Sequence, residues 1–253
     1  SVELLELPAE LRDAVLAEGA QPIVHDLELG YDVLTVEQVL RALLPQGMEV
    51  PSSFEQVGHV AHVNLRDCHM PYKQVIGQVL LDKNSRVKTV VNKVESISNE
   101  FRVFPMEVIA GEVNLVTQVK ENGATFKLDF GAVYWNSRLE REHRRVVQLL
   151  SPSEVICDMM AGIGPFAVPA ALRGCRVYAN DLNPKSHEYL CANVRANRVE
   201  ARVAVYNACG RAFFRALMEP AVAPPSDADA AGAATGGPAS GLLSAPPAGD
   251  APP

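Results

Sequence analysis

The segment DMMAGIGPF, residues 158–166, has the residue types of a ligand-binding turn. Gly162 and Gly164 permit a sharp turn and let the backbone approach a ligand that any Cβ would keep away. Asp158 stands before the turn, at the end of an apolar stretch. Asp181 ends the next apolar stretch, where a carboxylate can accept hydrogen bonds from two ribose hydroxyls. The glycines could serve strand–helix packing alone, but together with both acids they favour a site for an adenosine-containing cofactor.

The glycine spacing also bears on which cofactor this is. Pro165 and Phe166 follow Gly164, and Ala167 takes the third glycine position of the dinucleotide pattern G-x-G-x-x-G. This difference favours S-adenosylmethionine over a dinucleotide pyrophosphate.

The elements around the turn alternate between strand and helix after Ser151-Pro152. The predicted strands are EVICDM, RVYAND and ARVAVYNA, and the predicted helices follow them in AGIGPFAVPAALRG, PKSHEYLCANVRANRV and GRAFFRALM. This alternation requires a parallel sheet. We therefore expect an α/β fold with a Rossmann-like domain, preceded by a smaller mixed α/β domain and followed by a disordered tail.

The first half of the chain gives helix, strand and turn signals. Helices are predicted after Pro8 and at Thr35, whose hydroxyl forms a capping box with Gln38. VGHVAHVNL reads as one strand, PYKQVIGQVLLDKN as a helix, and RVKTVVNKV and FRVFPMEVIAG as strands. A hairpin is predicted around Asn122-Gly123, ahead of a charged helix in SRLEREHRRVVQLL.

We expect four regions. They are an N-terminal helical region at 1–50, a middle α/β domain at 51–136, a partial Rossmann-like domain at 137–219, and a tail at 220–253. The tail is so rich in Ala, Pro and Gly that we expect it to be disordered.

The composition restricts the partners. The net charge is −7 and the pI about 5.4, so RNA binding would need a local basic patch. No apolar run is long enough for a membrane span, and the five scattered cysteines indicate reduced thiols, with no metal site. His59 and His62 are interpreted as packing residues.

Several segments in fixed order resemble the archaeal and eukaryotic tRNA (guanine-37-N1) methyltransferases. They are FEQVGHVAHVNLRD, IGQVLLDKN, VVNKV, FRVFPMEVIAG, VYWNSRLEREH, DMMAGIGPFAVPAA and ANDLNPKS. The resemblance extends over residues 1–219. It implies that the Rossmann-like domain is a class I methyltransferase domain, incomplete at its C-terminus, and that the middle α/β domain at 51–136 contacts tRNA. The implied enzyme methylates guanine beside the anticodon, with S-adenosylmethionine as cofactor and the tRNA anticodon stem-loop as partner. The implied cofactor residues are Asp158, Ala161, Gly162, Gly164, Pro165, Phe166, Asp181, Leu182, Asn183, Asn207, Cys209 and Gly210.

The resemblance also implies catalytic residues. The guanine nitrogen that receives the methyl group carries a proton, so transfer needs a base and a donor for the charge that develops on the neighbouring oxygen. By resemblance the base is Glu142 and the cation is Arg102. Alternatively, Glu142 pairs on the helix surface with Arg138 or Arg145, and Arg102 is an ordinary surface residue.

Substrate contacts are assigned to Tyr134, Arg138 and His143. Tyr134 and Trp135 could wall the guanine pocket or stack on a base, or they could pack at a domain joint. The arginines of SRLEREHRR form a positive face that suits RNA phosphates, unless neighbouring glutamates merely balance them on a solvated helix.

The chain departs from the family pattern at two places. Cys209 takes the position of an aspartate that contacts the adenine amino group, and a thiol is a poor acceptor. The later N-L-P motif is missing, because the chain continues into its Ala/Pro-rich tail. We therefore expect a truncated chain whose first cofactor strand is an exposed apolar edge, with marginal stability, weak cofactor binding and little activity.

Two alternatives to methyl transfer remain at this point. One is the sister tRNA wybutosine enzyme, which transfers the aminocarboxypropyl group of the same cofactor, although NDLNP favours the methyltransferase. The other is a non-catalytic tRNA-binding remnant. We expect a monomer without metal, in the cytoplasm, the nucleus or the mitochondrial matrix.

Overall fold

The structure is a computed structural model that describes residues 8–19, 29–51, 53–94 and 100–219. The predicted disordered tail and part of the predicted N-terminal helical region lie outside these ranges. Within them, no helix combines the length and the apolar character that crossing a membrane requires.

Two helices open the described part of the chain. α1 (Ala9–Ala17) follows Pro8 and buries none of its residues. α2 (Val36–Leu43) begins at Thr35, whose hydroxyl accepts from the backbone N–H of Gln38 while the Gln38 side chain accepts from Thr35 N–H. The predicted capping box is therefore confirmed.

A four-stranded mixed sheet follows, in the order β1-β2-β3-β4. Its strands are β1 (Glu55–Val57), β2 (Val60–Val63), β3 (Thr89–Lys93) and β4 (Met106–Gly111). β2 and β3 are parallel and the other pairs are antiparallel. α3 (Lys73–Lys83), preceded by a 3₁₀ turn, makes the connection between the two parallel strands and packs on the sheet with α2.

The prediction of one continuous strand in VGHVAHVNL is wrong. Gly58 has a φ of 58° and reverses the chain, so that β1 and β2 pair with each other. A Cβ on Gly58 would lie 2.0 Å from Thr117 Oγ1, so the turn also needs glycine for close approach. The strand predicted in FRVFPMEVIAG begins only at Met106, because Arg102 adopts a left-handed φ of 55°.

The hairpin is formed by β5 (Val116–Glu121) and β6 (Ala124–Asp129), as predicted. Asn122 and Gly123 have φ values of 49° and 80°, the positive values that a two-residue hairpin turn requires.

The second half of the chain forms a parallel sheet in the order β7-β8-β9, with helices between the strands. The strands are β7 (Val155–Asp158), β8 (Arg176–Asn180) and β9 (Val203–Tyr206), and the helices are α4 (Glu140–Leu149), α5 (Ala167–Leu172), α6 (Pro184–Ala196) and α7 (Gly210–Met218). The predicted strand–helix alternation is confirmed.

β7 is an edge strand among the described strands, as expected for a sheet with this strand order. Its only described neighbour is β8, and Val155 remains 63% exposed. An apolar edge of this kind can pair with another chain.

One large core joins the two halves of the molecule. It contains Val60 and Val91 from the first sheet, Phe126 from the hairpin, and Ile163 and Leu190 from the second half. The hairpin is hydrogen-bonded to both halves of the molecule. Thr117 on β5 bonds His59, and β6 bonds α6. The division into domains at residue 136 therefore stays a prediction.

Candidate cofactor and substrate site

The glycine turn lies at the carboxyl ends of the three parallel strands. Asp181 follows β8, and its two carboxylate oxygens accept backbone hydrogen bonds from Gly162 (2.8 Å) and Asn183 (2.9 Å). The structure therefore brings together the glycine turn and the Asp181 carboxylate, as the sequence predicted. A carboxylate has about four lone-pair positions, so Asp181 retains acceptor capacity for a ligand.

Asp158 ends β7 and adds a second carboxylate at this edge. Its Oδ2 atom is buried and has no hydrogen-bond partner among the described residues. Burial raises the pKa of Asp158 to about 6, and the charge of Asp181 adds to this effect, while a hydrogen bond from Met160 N–H opposes it. A buried oxygen without a partner is costly unless a ligand supplies a donor.

The two glycines of the turn have different roles. Gly162 has a φ of 56°, and a Cβ on it would enter open space, which leaves room for a ligand beside the backbone. Gly164 has a φ of 100°, and a Cβ on it would lie 2.8 Å from the Leu190 side chain, so this glycine is required for packing against α6. Ala161 and Gly164 are buried within the turn, and Pro165 and Phe166 are partly buried.

Asn183 and Asn207 hold the loops with their side chains. Asn183 Nδ2 donates to Ala132 O (2.9 Å), and its Oδ1 accepts from Lys185 N–H at the start of α6. Asn207 Nδ2 donates to the carbonyls of Asp181 (2.7 Å) and Leu182 (3.1 Å). These amides bond the protein backbone, whereas the Leu182 side chain is 44% exposed beside them.

Cys209 has a more favourable environment than its residue type suggests. It precedes α7, where the nearby backbone N–H groups of Ala212 and Arg211 lower the thiol pKa. The direction of this shift favours the anionic form of the sulfur. Gly210 lies against Met159, because a Cβ on it would come 3.3 Å from Met159 O.

Sequence reasoning missed Asn180, which connects all three strand ends. It is fully buried, its Nδ2 donates to Met159 O and Ala208 O, and its Oδ1 accepts from Ala208 N–H. The signal in the sequence was a polar residue at the end of an apolar strand, directly before Asp181.

A cavity of about 250 Å³ lies next to this edge, between the first sheet and the segment after β6. Val133, which follows the Ala132 held by Asn183, is one of its lining residues. Aromatic, cationic and acidic side chains line the rest of it, and they include Phe104, Tyr134, Trp135, Lys93, Arg138 and Glu55. Lys93 Nζ lies 3.6 Å from the centre of the Phe104 ring.

Two predicted substrate residues line the cavity, and a third does not. Tyr134 is 39% exposed at the cavity, and Arg138 Nε lies 3.5 Å from Glu55 Oε2. His143 is buried instead, with Nδ1 2.5 Å from Glu121 Oε1. The assignment of His143 as a substrate contact is therefore corrected, because its ring packs inside the protein.

Both predicted catalytic residues are exposed on the surface. Glu142 is exposed on α4 and forms two hydrogen bonds with Arg145, at 2.7 and 2.8 Å. These bonds lower the pKa of Glu142. Arg102 is exposed and has no hydrogen bond or ion pair within the described ranges. The surface pairing that competed with the catalytic interpretation of Glu142 is thus observed here.

Trp135 and His62 pack inside the protein, as the packing interpretation of these residues predicted. Trp135 is only 8% exposed and its ring lies 5.7 Å from that of Phe126. His62 packs edge-on against Phe130, and burial lowers its pKa. Across the described part of the chain, no three His, Cys, Asp or Glu side chains converge as metal ligands would.

The residues at the glycine turn fit S-adenosylmethionine. Asp158 has a buried oxygen without a partner for an ammonium group, and Asp181 keeps lone pairs for ribose hydroxyls. Gly162 leaves open space beside the backbone between them.

Known proteins are similar to most of this chain. The tRNA (guanine(37)-N(1))-methyltransferase of Phytophthora infestans is 54% identical over 196 residues, which are 78% of this chain and 48% of that protein. The human protein of the same name is 48% identical over 191 residues, covering 76% of this chain and 38% of that protein.

Solved structures share the fold. Trm5b from Pyrococcus abyssi has a TM-score of 0.59 at 34% identity, covering 64% of this chain and 49% of that one. In a complex of aTrm5 with tRNALeu, the protein chain has a TM-score of 0.68 at 24% identity, covering 81% of this chain and 63% of that one.

The parallel sheet and the glycine turn between two acid-ended strands define a class I S-adenosylmethionine-dependent methyltransferase fold. Residues 117–222 match the TRM5/TYW2 methyltransferase domain, and residues 36–114 match the TYW2 N-terminal domain. The chain belongs to the Trm5 family. It spans about half the length of the curated relatives it matches, or less.

Proposed function

We propose that this chain is a tRNA methyltransferase that transfers a methyl group from S-adenosylmethionine to N1 of guanine 37. The observation that carries the proposal is the placement of two acidic side chains, Asp158 and Asp181, at the glycine turn. Asp181 bonds Gly162 N–H, and Asp158 presents a buried oxygen without a described partner. Relatives at 45–54% identity that carry this activity in their names support methyl transfer over the sister reaction.

In this proposal, three groups of the chain hold the cofactor, which supplies the methyl group when it is bound. Asp158 pairs with the ammonium group, and Asp181 accepts from the ribose hydroxyls. The Cys209 sulfur, which stands at the position of the usual aspartate, is the acceptor for the adenine amino group.

The aromatic cavity holds the target guanine in this proposal. Tyr134 and Phe104 provide rings for stacking, and Lys93 and Arg138 provide positive charge near the guanine oxygen. Arg102 lies two residues before Phe104 and stays assigned to the developing negative charge on that oxygen.

Glu142 removes the N1 proton in the proposed reaction, but first it must leave Arg145. While the pair persists, Glu142 is a weaker base, because Arg145 lowers its pKa. Arg145 belongs to an exposed arginine face with Arg138, Arg141 and Arg144. RNA phosphates that bind this face would compete for Arg145 and release the carboxylate, which couples tRNA binding to base activation.

The test is the mass of the modified nucleoside. The chain is incubated with S-adenosylmethionine and a tRNA transcript carrying guanine 37, and the digested nucleosides are analysed by mass spectrometry. A gain of one methyl group is expected, at the low rate that the departures from the family pattern imply, and it should be lost in Glu142→Gln and absent when adenine replaces guanine 37. An aminocarboxypropyl product would assign the sister reaction, and tRNA binding without cofactor binding would make the chain a non-catalytic binder.

Arg145→Ala tests the coupling between tRNA binding and the base. Without Arg145 the pKa of Glu142 in the free enzyme is expected to rise, which moves the acidic limb of the kcat/KM profile against pH to higher pH. An unchanged limb would mean that Glu142 is not the group that titrates.

We further propose that the chain acts as a monomer, and its compartment (cytoplasm, nucleus or mitochondrial matrix) stays a prediction.

A further inference from the structure

The side-chain amide of Asn193, on α6, joins the hairpin to the glycine turn. Its Nδ2 donates to Ile163 O (3.1 Å) and to Lys127 O (3.1 Å), while its Oδ1 accepts from Lys127 N–H (2.8 Å). The residue is fully buried. Ile163 is the residue between Gly162 and Gly164, so Asn193 reaches the centre of the turn.

Asn197, one helical turn later, makes the same pair of hydrogen bonds to the backbone of β6. Its amide accepts from Thr125 N–H (2.9 Å) and donates to Thr125 O (2.7 Å). The two asparagines thus satisfy the outward backbone groups of β6 as a further strand would. Their bonds to β6 are alike. The third bond differs, because Asn197 Nδ2 donates to Asn193 O (2.7 Å) at the end of the helix, whereas Asn193 Nδ2 donates to Ile163 O in the turn.

We infer that Asn193 is a positioning residue for the cofactor, which it does not itself contact. Glycines at positive φ lose more conformational freedom on folding than other residues, so a turn containing two of them needs external bonds to hold one shape. Asp181 holds the N–H of Gly162 on one side, and Asn193 holds the carbonyl of Ile163 on the other. The inference rests on the proposed cofactor function of the turn.

Asn193→Ala is compared with the matched control Asn197→Ala. Each variant loses three side-chain hydrogen bonds, two of them to β6, and both are expected to lower the thermal stability. In the ligand-free protein, amide hydrogen exchange of residues 161–166 is expected to become about 10-fold faster in Asn193→Ala only. The dissociation constant of S-adenosylmethionine, measured by calorimetry, is expected to rise about 10-fold in the same variant only.

Equal exchange rates of the turn in the two variants would overturn the inference. If the unsubstituted chain binds no S-adenosylmethionine, the proposed function fails, and the exchange comparison in the ligand-free protein still decides the role of Asn193. If Asn193→Ala does not fold, the comparison of Asn193→Ser with Asn197→Ser decides in the same way. A serine retains one donor but is too short to span both carbonyls.

Discussion

The carboxyl group of Asp158 titrates near neutral pH because it is buried, with a pKa raised to about 6. In the unfolded chain the group ionises near pH 4. The contribution of Asp158 to stability is therefore fully present below about pH 4 and is lost as the pH rises through about 6. At higher pH the ionised carboxylate is buried, which lowers the stability, and Asp158→Asn removes this penalty. The variant is therefore expected to raise the free energy of unfolding of the ligand-free protein at pH 7.5 by roughly 1–3 kcal/mol.

Denaturant unfolding of both proteins at several pH values checks this prediction. The gain of Asp158→Asn is expected to vanish below about pH 3, where the carboxyl group is neutral in both the folded and the unfolded chain. The same variant is expected to bind S-adenosylmethionine more weakly at pH 7.5, since it has no charge for the ammonium group. A stability gain that stays constant between pH 4 and 7.5 would contradict the assignment.

Gly162 provides a second prediction for a single residue. Gly162→Ala keeps the space around the turn but places a Cβ at a φ of 56°, which costs about 1 kcal/mol. Gly123→Ala is a matched control, because Gly123 also has a positive φ and open surroundings. We expect similar losses in melting temperature, but only Gly162→Ala should weaken cofactor binding by about 10-fold or more, as a calorimetric titration would show. Equal affinities in the two variants would exclude ligand contact at Gly162.

Among the elements, the hairpin and α4 are joined by the buried Glu121–His143 pair. The His143 ring also packs edge-on against Phe166 of the glycine turn, with the ring centres 4.7 Å apart. Glu121→Ala leaves a buried imidazole without its partner, and it is expected to lower the free energy of unfolding by about 3 kcal/mol.

Glu140→Ala is the control for this pair, because it breaks the exposed bond of Glu140 with Arg144 on the same helix. The control is expected to change the free energy of unfolding by about 0.5 kcal/mol or less. Urea denaturation of both variants gives the comparison. Equal costs would show that the buried pair does not hold the hairpin against α4.

For the molecule as a whole, a net charge of −7 means that RNA must bind through a local positive surface. The arginine face of α4 is the candidate, and Arg141 is the member without a described salt bridge. Arg141→Ala is expected to weaken binding of an anticodon stem-loop and to reduce the slope of log K against log salt by about 0.7–1. Fluorescence anisotropy over a salt series measures this slope.

Arg41→Ala on α2 is the control, since Arg41 pairs with Glu37 away from the arginine face. Its slope is expected to equal that of the unsubstituted chain. An identical slope for Arg141→Ala would move the RNA-binding surface elsewhere on the molecule.

Local chemistry alone determined several features of this protein. The capping box at Thr35 and the Asn122-Gly123 turn each depend on residues a few positions apart, so their signals are complete in the sequence. The strand–helix alternation and the glycine turn between Asp158 and Asp181 also follow from short patterns. These predictions fixed the fold class and the location of the candidate cofactor site.

Tertiary contacts decided the rest, because the deciding partners lie far apart along the chain. Gly58 turns where Thr117 approaches it, and His143 is buried because Glu121 bonds it. The placement of Tyr134 at a cavity depends on the first sheet meeting the segment after β6. Asn193 looked like an ordinary helix residue, and only the fold brings its amide to both Lys127 and Ile163. A side chain's partners depend on three-dimensional packing, which periodicity and motif spacing do not encode.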